Sequence, residues 1–312
     1  MKVLLTGGNS FSGLWIARKL HEAGHTVIAP IRSSAKEYEG VRAARAAALA
    51  EVANVIENTS FGDDRFLDIL RNDSFDVLGL HAARVADYRS IDYDYVAAVG
   101  ENTKNLRQIV ELAGARGLKA MIATGSVFEY DSGTGSEPME AFSPYGLSKG
   151  MTYEAVRFWT RRAGITLGKF TIANPFGPFE EPRLGNFLMT TWKAGGTATI
   201  NTPEYVRDNI HVDLLGSSYR AFAEGLLQSR TDYVFGPIGY QETVGAFCNR
   251  FAEAMSSRLG LPCNVELKKQ TDFSEPLSRV NTHTLDTDKL GWSEQRAWDN
   301  LAGYYRDYYG LR

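Results

Sequence analysis

The amino-acid sequence predicts an α/β fold, a doubly wound parallel sheet with a smaller C-terminal cap, on three observations. Short β-branched runs alternate with helical stretches through the first half of the chain. A glycine-rich stretch, TGGNSFSG at residues 6–13, joins the first apolar run to the first helical one. Beyond Pro175 the alternation stops and Pro and Gly cluster in NPFGPFEEPRLGN, which marks a differently built region.

Taken in order, strands are expected at residues 2–5, 26–30, 53–57, 76–81 and 119–124. The first helix opens at Gly13 and shows apolar spacing at Ile16, Ala17 and Leu20. VRAARAAALAEV (41–52), DRFLDILR (64–71) and NTKNLRQIVELAGARG (102–117) supply the intervening helices. A further helix runs from about Tyr145 to Arg162, and GITLGKFTIANP (164–175) reads as one more strand. DTDKLGW (286–292) suggests a helix stop at Gly291. The expected division is a nucleotide-binding domain over 1–173, to which a segment near 205–236 returns, and a discontinuous substrate cap over 174–312.

The 312 residues suffice for one large α/β domain or two smaller ones sharing a cleft. A net charge of −3 gives no general attraction to nucleic acid or acidic membranes, so neither is expected as a partner. No run approaches ~18 apolar residues, and Met1-Lys2 leads directly into a strand without a signal-peptide pattern. The two cysteines, Cys248 and Cys263, are expected as reduced thiols in a cytoplasmic protein. No metal site is expected.

A glycine turn between strand and helix cradles a nucleotide diphosphate on free backbone amides, although Gly7-Gly8 alone also fits a plain tight turn. Ser10 stands where such loops usually carry a middle glycine, and its side chain narrows the approach to a pyrophosphate. Asn9, Ser10 and Ser12 add donors around Phe11, while Gly13 keeps the position that packs helix on strand. NAD-binding proteins place a carboxylate after the second strand to accept from the adenosine 2′-hydroxyl. Here Ile31 occupies that place and Arg32-Ser33-Ser34 follows. A guanidinium flanked by hydroxyls suits a 2′-phosphate, so NADP(H) is favoured over NAD(H); the competing reading makes Arg32 a solvated loop charge.

TGGNSFSG, FGDD (61–64), GLHAA (79–83), Asn102, ATGSVF (123–128), YGLSK (145–149), NPFGP (174–178), YVRDNIHVD (205–213) and DKLGW occur in this order. Over essentially the whole chain this resembles the extended short-chain dehydrogenase/reductase family, the nucleotide-sugar epimerases, dehydratases and 4-ketoreductases built on a Rossmann-like sheet. The Tyr-x-x-x-Lys pair and RDNIHVD are its specific parts. Tyr145 and Lys149, at i and i+4, share one helix face. A tyrosine ordinarily ionises near ~10, and an adjacent ammonium is expected to lower that towards neutrality.

In the family the tyrosine passes the proton and the lysine also grips the nicotinamide ribose. Thr124 matches the hydroxyl that hydrogen-bonds the reacting oxygen. The resemblance further implies Asp63 at the adenine amino group, Ala82 and Ala83 beside the pyrophosphate and ribose, and Asn102 near the cofactor. It places Asn174 and Arg207 at the substrate diphosphate, with Ser126 also at the substrate. His81 and His211 read as packed, hydrogen-bonded side chains, and the tyrosines of DYRSIDYDYV (87–96) either line the cleft or pack.

Family dehydratases carry Asp-Glu after the active-site threonine, whereas this chain has Gly125-Ser126. The expected activity is therefore NADPH-dependent reduction of a nucleotide-linked 4-keto-6-deoxyhexose, with hydride to C4 and Tyr145 as proton donor. The alternatives are a nucleotide-sugar 4-epimerase and, in another class, a non-catalytic NADP-binding regulator. The resemblance also implies a homodimer through a four-helix bundle, for which Ile109, Leu112, Val156 and Trp159 supply apolar faces.

Overall fold

The computed structural model describes residues 1–85 and 87–311. The chain begins β1 (Lys2–Leu5), α1 (Phe11–Glu22), β2 (Thr26–Pro30), α2 (Gly40–Ala50), β3 (Asn54–Ile56), α3 (Asp64–Asn72) and β4 (Val77–Leu80). It continues with α4 (Tyr95–Asn102), α5 (Leu106–Ala115), β5 (Ala120–Ser126), β6 (Thr134–Gly135), α6 (Pro144–Ala163), β7 (Thr166–Ile172) and β8 (Asn174–Phe176). The remainder is α7 (Leu184–Lys193), β9 (Ala198–Ile200), β10 (Val206–His211), α8 (Val212–Ser229), β11 (Tyr233–Phe235), β12 (Tyr240–Thr243), α9 (Val244–Leu259), β13 (Val265–Leu267), β14 (Ser278–Val280) and α10 (Glu294–Tyr309).

Seven parallel strands form the main sheet in the order β11-β7-β5-β4-β1-β2-β3. Strand side chains alternate between faces, so Val3 and Leu5 join one core with α1, α2 and α8. Leu4 points the other way, into a core with α3, α5 and α6. Residues buried on both faces explain why these strands read as unbroken apolar runs. The order reverses between β1 and β4, and in open α/β sheets that switch point is where ligands bind. On one face α8 lies tightly on α1: a Cβ at Gly216 would fall 2.6 Å from the Trp15 carbonyl oxygen.

A second sheet, β12-β10-β14-β6 with β8 also pairing β10, and a two-stranded β13-β9 sheet belong to the C-terminal region. Its core joins Met189 and Trp192 of α7, Phe247 and Phe251 of α9, and Trp298 and Leu301 of α10. α8 and β11 return to the main sheet.

Three expectations change. The stretch 102–117 is not one helix, because Asn105 adopts φ 53° between α4 and α5 and donates to the Gly62 carbonyl at 2.8 Å. Gly62 docks so closely that a Cβ there would meet the Lys104 carbonyl at 2.2 Å. The stretch 164–175 is two strands in two sheets, since β7 ends at Ile172 and β8 pairs with β10 instead. At 286–292 there is a turn rather than a helix end; Gly291 (φ 66°) closes it, and α10 starts afterwards with Ser293 as its cap. Among the described residues no helix is long and apolar enough to cross a membrane.

Candidate active site

The loop after β1 is locked to the tip of β4. Thr6 Oγ1 accepts from the amides of His81 and Ala82, both at 3.0 Å, and donates to the Gly79 carbonyl at 3.1 Å. Gly7 sits at φ 69°, and a Cβ there would lie 2.8 Å from the Ala82 nitrogen. A Cβ at Gly13 would lie 2.1 Å from the Gly7 carbonyl oxygen. Ser10 is the N-cap of α1, accepting from the Gly13 amide at 3.1 Å. Phe11 is buried against Trp15 and Val212, a wedge holding the loop rather than an open contact. Among the described residues the amides of Phe11 and Ser12 have no acceptor, and the side chain of Asn9 has no hydrogen bond. Free amides at a helix N-terminus, in a cradle that tolerates no added Cβ, fit a dinucleotide diphosphate.

At the adenosine end, Arg32 is exposed and makes no hydrogen bond among the described residues. Ser33 donates through its amide to the Tyr38 hydroxyl at 3.3 Å. Sequence reasoning overlooked Glu57. β2 and β3 pair with Pro30 opposite Ile56, so Glu57 stands beside Ile31. Its oxygens accept from the Ser34 hydroxyl and the Ala35 amide, both at 3.0 Å, and the amide first, then the hydroxyl, hold this carboxylate below its ordinary range. An acidic group therefore reaches this region from the neighbouring strand, a placement that strand register could have revealed. Asp63 caps α3, with one oxygen on the Phe66 amide and the other on the Ser60 amide, both at 2.8 Å.

Thr124 and Lys149 meet where β4, β5 and α6 converge, and Tyr145 is not part of the lining they share. Thr6, Ala82, Asn102, Thr124, Lys149 and Lys169 share the lining of one pocket. Ala83 follows Ala82 at the β4 tip and is half-buried. Asn102 bridges the walls, accepting from the Arg84 amide at 3.1 Å and donating to Thr152 Oγ1 at 3.5 Å. Thr124 on β5 lies 3.0 Å from His81 Nδ1, and His81 Nε2 lies 3.0 Å from Ser12 Oγ. His81 is thus hydrogen-bonded, as expected, but to the site's own hydroxyls. Burial, with the Lys149 charge behind it, pushes the imidazole down to about 3, so it is neutral at ordinary pH.

α6 begins with Ser143 as N-cap and Pro144 in its first turn, and Ser143 Oγ accepts from the Gly146 amide at 3.1 Å. A Cβ at Gly146 would lie 2.0 Å from the Phe128 carbonyl oxygen, so this helix start rests directly on the segment after β5. Tyr145 is packed edge-on by Tyr88 and Tyr93, with centroids 5.5 and 5.9 Å away. The expected lowering of its pKa is not found. Burial dominates and raises it, Glu129 adds to the rise, and Tyr145 stays a protonated phenol at neutral pH. The partner moves too: burial lowers Lys149, and the Glu129 carboxylate opposes that fall.

Glu129 and Lys169 form a buried ion pair at 2.6 Å that sequence reasoning did not find. Glu129 also accepts from the Ser126 amide at 2.6 Å, and Lys169 donates to Ser132 Oγ at 3.0 Å. Ser126 Oγ accepts from the Phe128 amide at 3.2 Å, which leaves its own proton free. Asn174 on β8 is half-buried, and its side chain has no hydrogen bond among the described residues. Arg207 departs from expectation. Its guanidinium is 6% exposed, pairs with Glu275 at 2.8 Å and donates to the carbonyls of Val206, Pro276 and Leu277. The cation that does face Tyr145 is Arg183, exposed at the start of α7 with its guanidinium 5.7 Å from the Tyr88 ring centre. His211 caps α8, its Nδ1 accepting from the Asp213 amide at 3.2 Å. Among the described residues no group of His, Cys, Asp or Glu is arranged to hold a metal ion.

Free amides at the head of α1 and a pocket holding Thr124 and Lys149 fit the extended short-chain dehydrogenases/reductases that the sequence resembles. The chain belongs to the NAD dependent epimerase/dehydratase family, whose model matches residues 3–213. No curated protein matches the chain. Among solved structures it is similar to a UDP-glucose 4-epimerase from Thermotoga maritima with UDP-glucose, at 22% identity and a TM-score of 0.73, covering 99% of this chain and 100% of that one. It is also similar to a UDP-glucuronic acid 4-epimerase from Bacillus cereus in complex with UDP-glucuronic acid and NAD, at 18% identity and a TM-score of 0.72 over 99% and 100% of the chains. A UDP-glucose 4-epimerase from Stenotrophomonas maltophila with NAD and formylated UDP-arabinopyranose covers both chains fully at 16% identity and a TM-score of 0.75. At these identities the likeness is one of fold.

Proposed function

We propose that the protein is an NADPH-dependent 4-ketoreductase acting on a nucleotide-linked 4-keto-6-deoxyhexose. The observation that carries this reading is the exposed Arg32 after β2, whose guanidinium makes no hydrogen bond among the described residues and is free for a 2′-phosphate. Phe11 and Ser12 amides would hold the cofactor diphosphate, and Arg32 with Ser33 the adenosine 2′-phosphate. Held there, a reduced nicotinamide would supply the hydride for C4. Thr124 donates a hydrogen bond to the carbonyl oxygen, Tyr145 delivers its proton there, and Lys149 and Asn102 hold the pocket wall behind them. Asn174, Ser126 and Arg183 would orient the nucleotide-linked sugar, Arg183 as the cation that Arg207 no longer offers to a diphosphate.

The Glu57 carboxylate favours a second reading, a 4-epimerase that retains NAD. Incubating the protein with NADPH and such a keto sugar separates the two. Stoichiometric loss of nicotinamide absorbance supports reduction. Tightly held NAD with interconversion of two hexose epimers and no absorbance change overturns it.

In this reading residues 1–173, with 205–236 returning, hold the dinucleotide, and 174–312 hold the sugar nucleotide. The unpaired thiols of Cys248 and Cys263 suit the cytoplasm. Of the four residues expected at a homodimer face, Ile109 and Val156 are buried within the subunit, which leaves the half-buried Leu112 and Trp159 to meet a partner. The outward apolar residues of α4 and α6 are Val96, Met151 and Phe158.

A further inference from the structure

The contacts of His81 raise a question of proton supply. Ser12 Oγ, the two imidazole nitrogens and Thr124 Oγ1 form one chain with two links of 3.0 Å each. A serine hydroxyl, a neutral imidazole and a threonine hydroxyl carry one mobile proton apiece. Two links consume two of the three, so one proton is left to point outward, and the chain can donate at one end only. In one arrangement Ser12 donates to Nε2, Nδ1–H donates to Thr124, and the Thr124 proton is free for an oxygen in the cleft. In the other, Thr124 donates to Nδ1, Nε2–H donates to Ser12, and the Ser12 proton is free at the helix N-terminus. Which nitrogen holds the hydrogen therefore decides whether Thr124 is a donor or an acceptor.

We propose that His81 is a positioning residue that sets the donor direction of Thr124, and that through it the state of Ser12 in the phosphate loop is coupled to the reacting oxygen. A carbonyl at Thr124 selects the Nδ1–H form; a hydroxyl at Thr124 that needs an acceptor selects the Nε2–H form. A ketone and the alcohol made from it thus call for opposite tautomers, while Ser12 registers the difference where the cofactor diphosphate would lie. Two further features support this. The Thr6 hydrogen bonds to the amides of His81 and Ala82 fix the backbone that carries the ring. The Lys149 ammonium nearby disfavours a doubly protonated ring, which would carry a fourth proton and uncouple the two ends. The kinetic consequence rests on the ketoreductase or epimerase reading; the proton arrangement does not.

The test begins with the free protein, labelled with nitrogen-15 in histidine, and His81→Asn to assign the signals. The expected result between about pH 5 and 8 is one pyrrole-type and one pyridine-type nitrogen for His81. Ser12→Ala and Thr124→Val should each shift both nitrogens, because the tautomer is shared along the chain. An imidazolium in this range overturns the proposal, as do substitutions that move only the adjoining nitrogen or neither. Turnover with NADPH and a nucleotide-linked 4-keto-6-deoxyhexose then reads the consequence. His81→Leu should lower kcat about 10²-fold, the scale of losing one oriented donor, with KM unchanged. His81→Asn, whose amide stands near the Nδ1 place, should restore most of that loss. Combined with Thr124→Val, His81→Leu should add no further loss; additive losses overturn the assignment. If the wild type consumes no such sugar, the proposed reaction fails, and the imidazole signals still decide the proton chain.

Discussion

Glu129→Gln tests whether Lys149 depends on a buried charge nearby. The carboxylate is fully buried, holds Lys169 at 2.6 Å and accepts from the Ser126 amide. Glutamine keeps the shape and one acceptor but leaves the Lys169 ammonium, 8% exposed, without a counter-charge. Two unit charges at this separation attract by about 6 kcal/mol at an effective dielectric of about 20. Removing one partner of such a pair usually costs about 3–5 kcal/mol of stability, because the survivor stays buried and unpaired. Lys149 should respond as well. Burial already lowers its pKa and Glu129 opposes that fall, so the variant should lose the Lys149 charge at lower pH than the wild type. A lysine lowered in the fold binds fewer protons than in the unfolded chain, so stability rises with pH through that window, and the variant's window should begin lower. Urea unfolding at pH 7 and at two higher pH values measures both effects. Glu129→Gln/Lys169→Met should recover most of the loss, since an apolar replacement of both charges is often neutral. A single variant that loses less than about 1 kcal/mol would refute the argument, since a surface pair is worth that little.

Four other outcomes are expected. Arg32→Ala should weaken NADPH binding by about 1.5–3 kcal/mol, the range for a charged hydrogen bond, and barely change NADH binding; equal losses in titrations of the two cofactors would contradict a 2′-phosphate contact. Tyr145→Phe should keep NADPH affinity and lose about 10²–10⁴ in turnover, read by single-turnover absorbance. Arg207→Ala should lower stability by about 2–3 kcal/mol in denaturant, because its guanidinium serves Glu275 and three carbonyls; an unchanged midpoint with a raised KM would return it to the substrate. Glu180, buried beside Arg183, has its carboxyl pushed up to about 8. A carboxyl raised in the fold favours folding below its unfolded pKa, and that contribution fades as pH rises through the folded value. The wild type should therefore lose stability between about pH 5 and 8, and Glu180→Gln should flatten that slope in unfolding curves.

The order of strands and helices was legible because each main-sheet strand is buried on both faces and each covering helix on one. What misled lay at junctions. Asn105 breaks a helix for the sake of a contact with Gly62, forty residues away in sequence and invisible to local periodicity. Spacing and position singled out Thr124, Tyr145 and Lys149, of which Thr124 and Lys149 line one pocket, yet the sign of the Tyr145 shift was not legible. An adjacent ammonium argues for a lower pKa, and only packing by Tyr88, Tyr93 and Phe128 reveals that burial wins. Glu129 and Lys169 share a site because β5 and β7 pair with Ala123 opposite Lys169. No local pattern announces a partnership fixed by register between strands. Arg207 misled differently: its neighbourhood marked it for a ligand, but Glu275, distant in sequence, had already engaged it.

The passage from β7 to β8 uses a single residue, Ala173, and β10 runs into α8 with none between. Because β8 and β10 are themselves paired in parallel, the two crossings sit at the two ends of one short ladder, Asn174 opposite Asn209 and Phe176 opposite His211. They act as the pin of a door. Neither crossing has slack for the two sheets to slide apart, so relative motion at this edge is confined to swinging about the pin. Asn174, next to it, travels least in such a swing, whereas Arg183, farther along the chain on α7, travels more. If Asn174 and Arg183 hold the sugar nucleotide as proposed, selectivity at the pin would be a matter of fixed shape, and selectivity at the free edge a matter of how far the door closes.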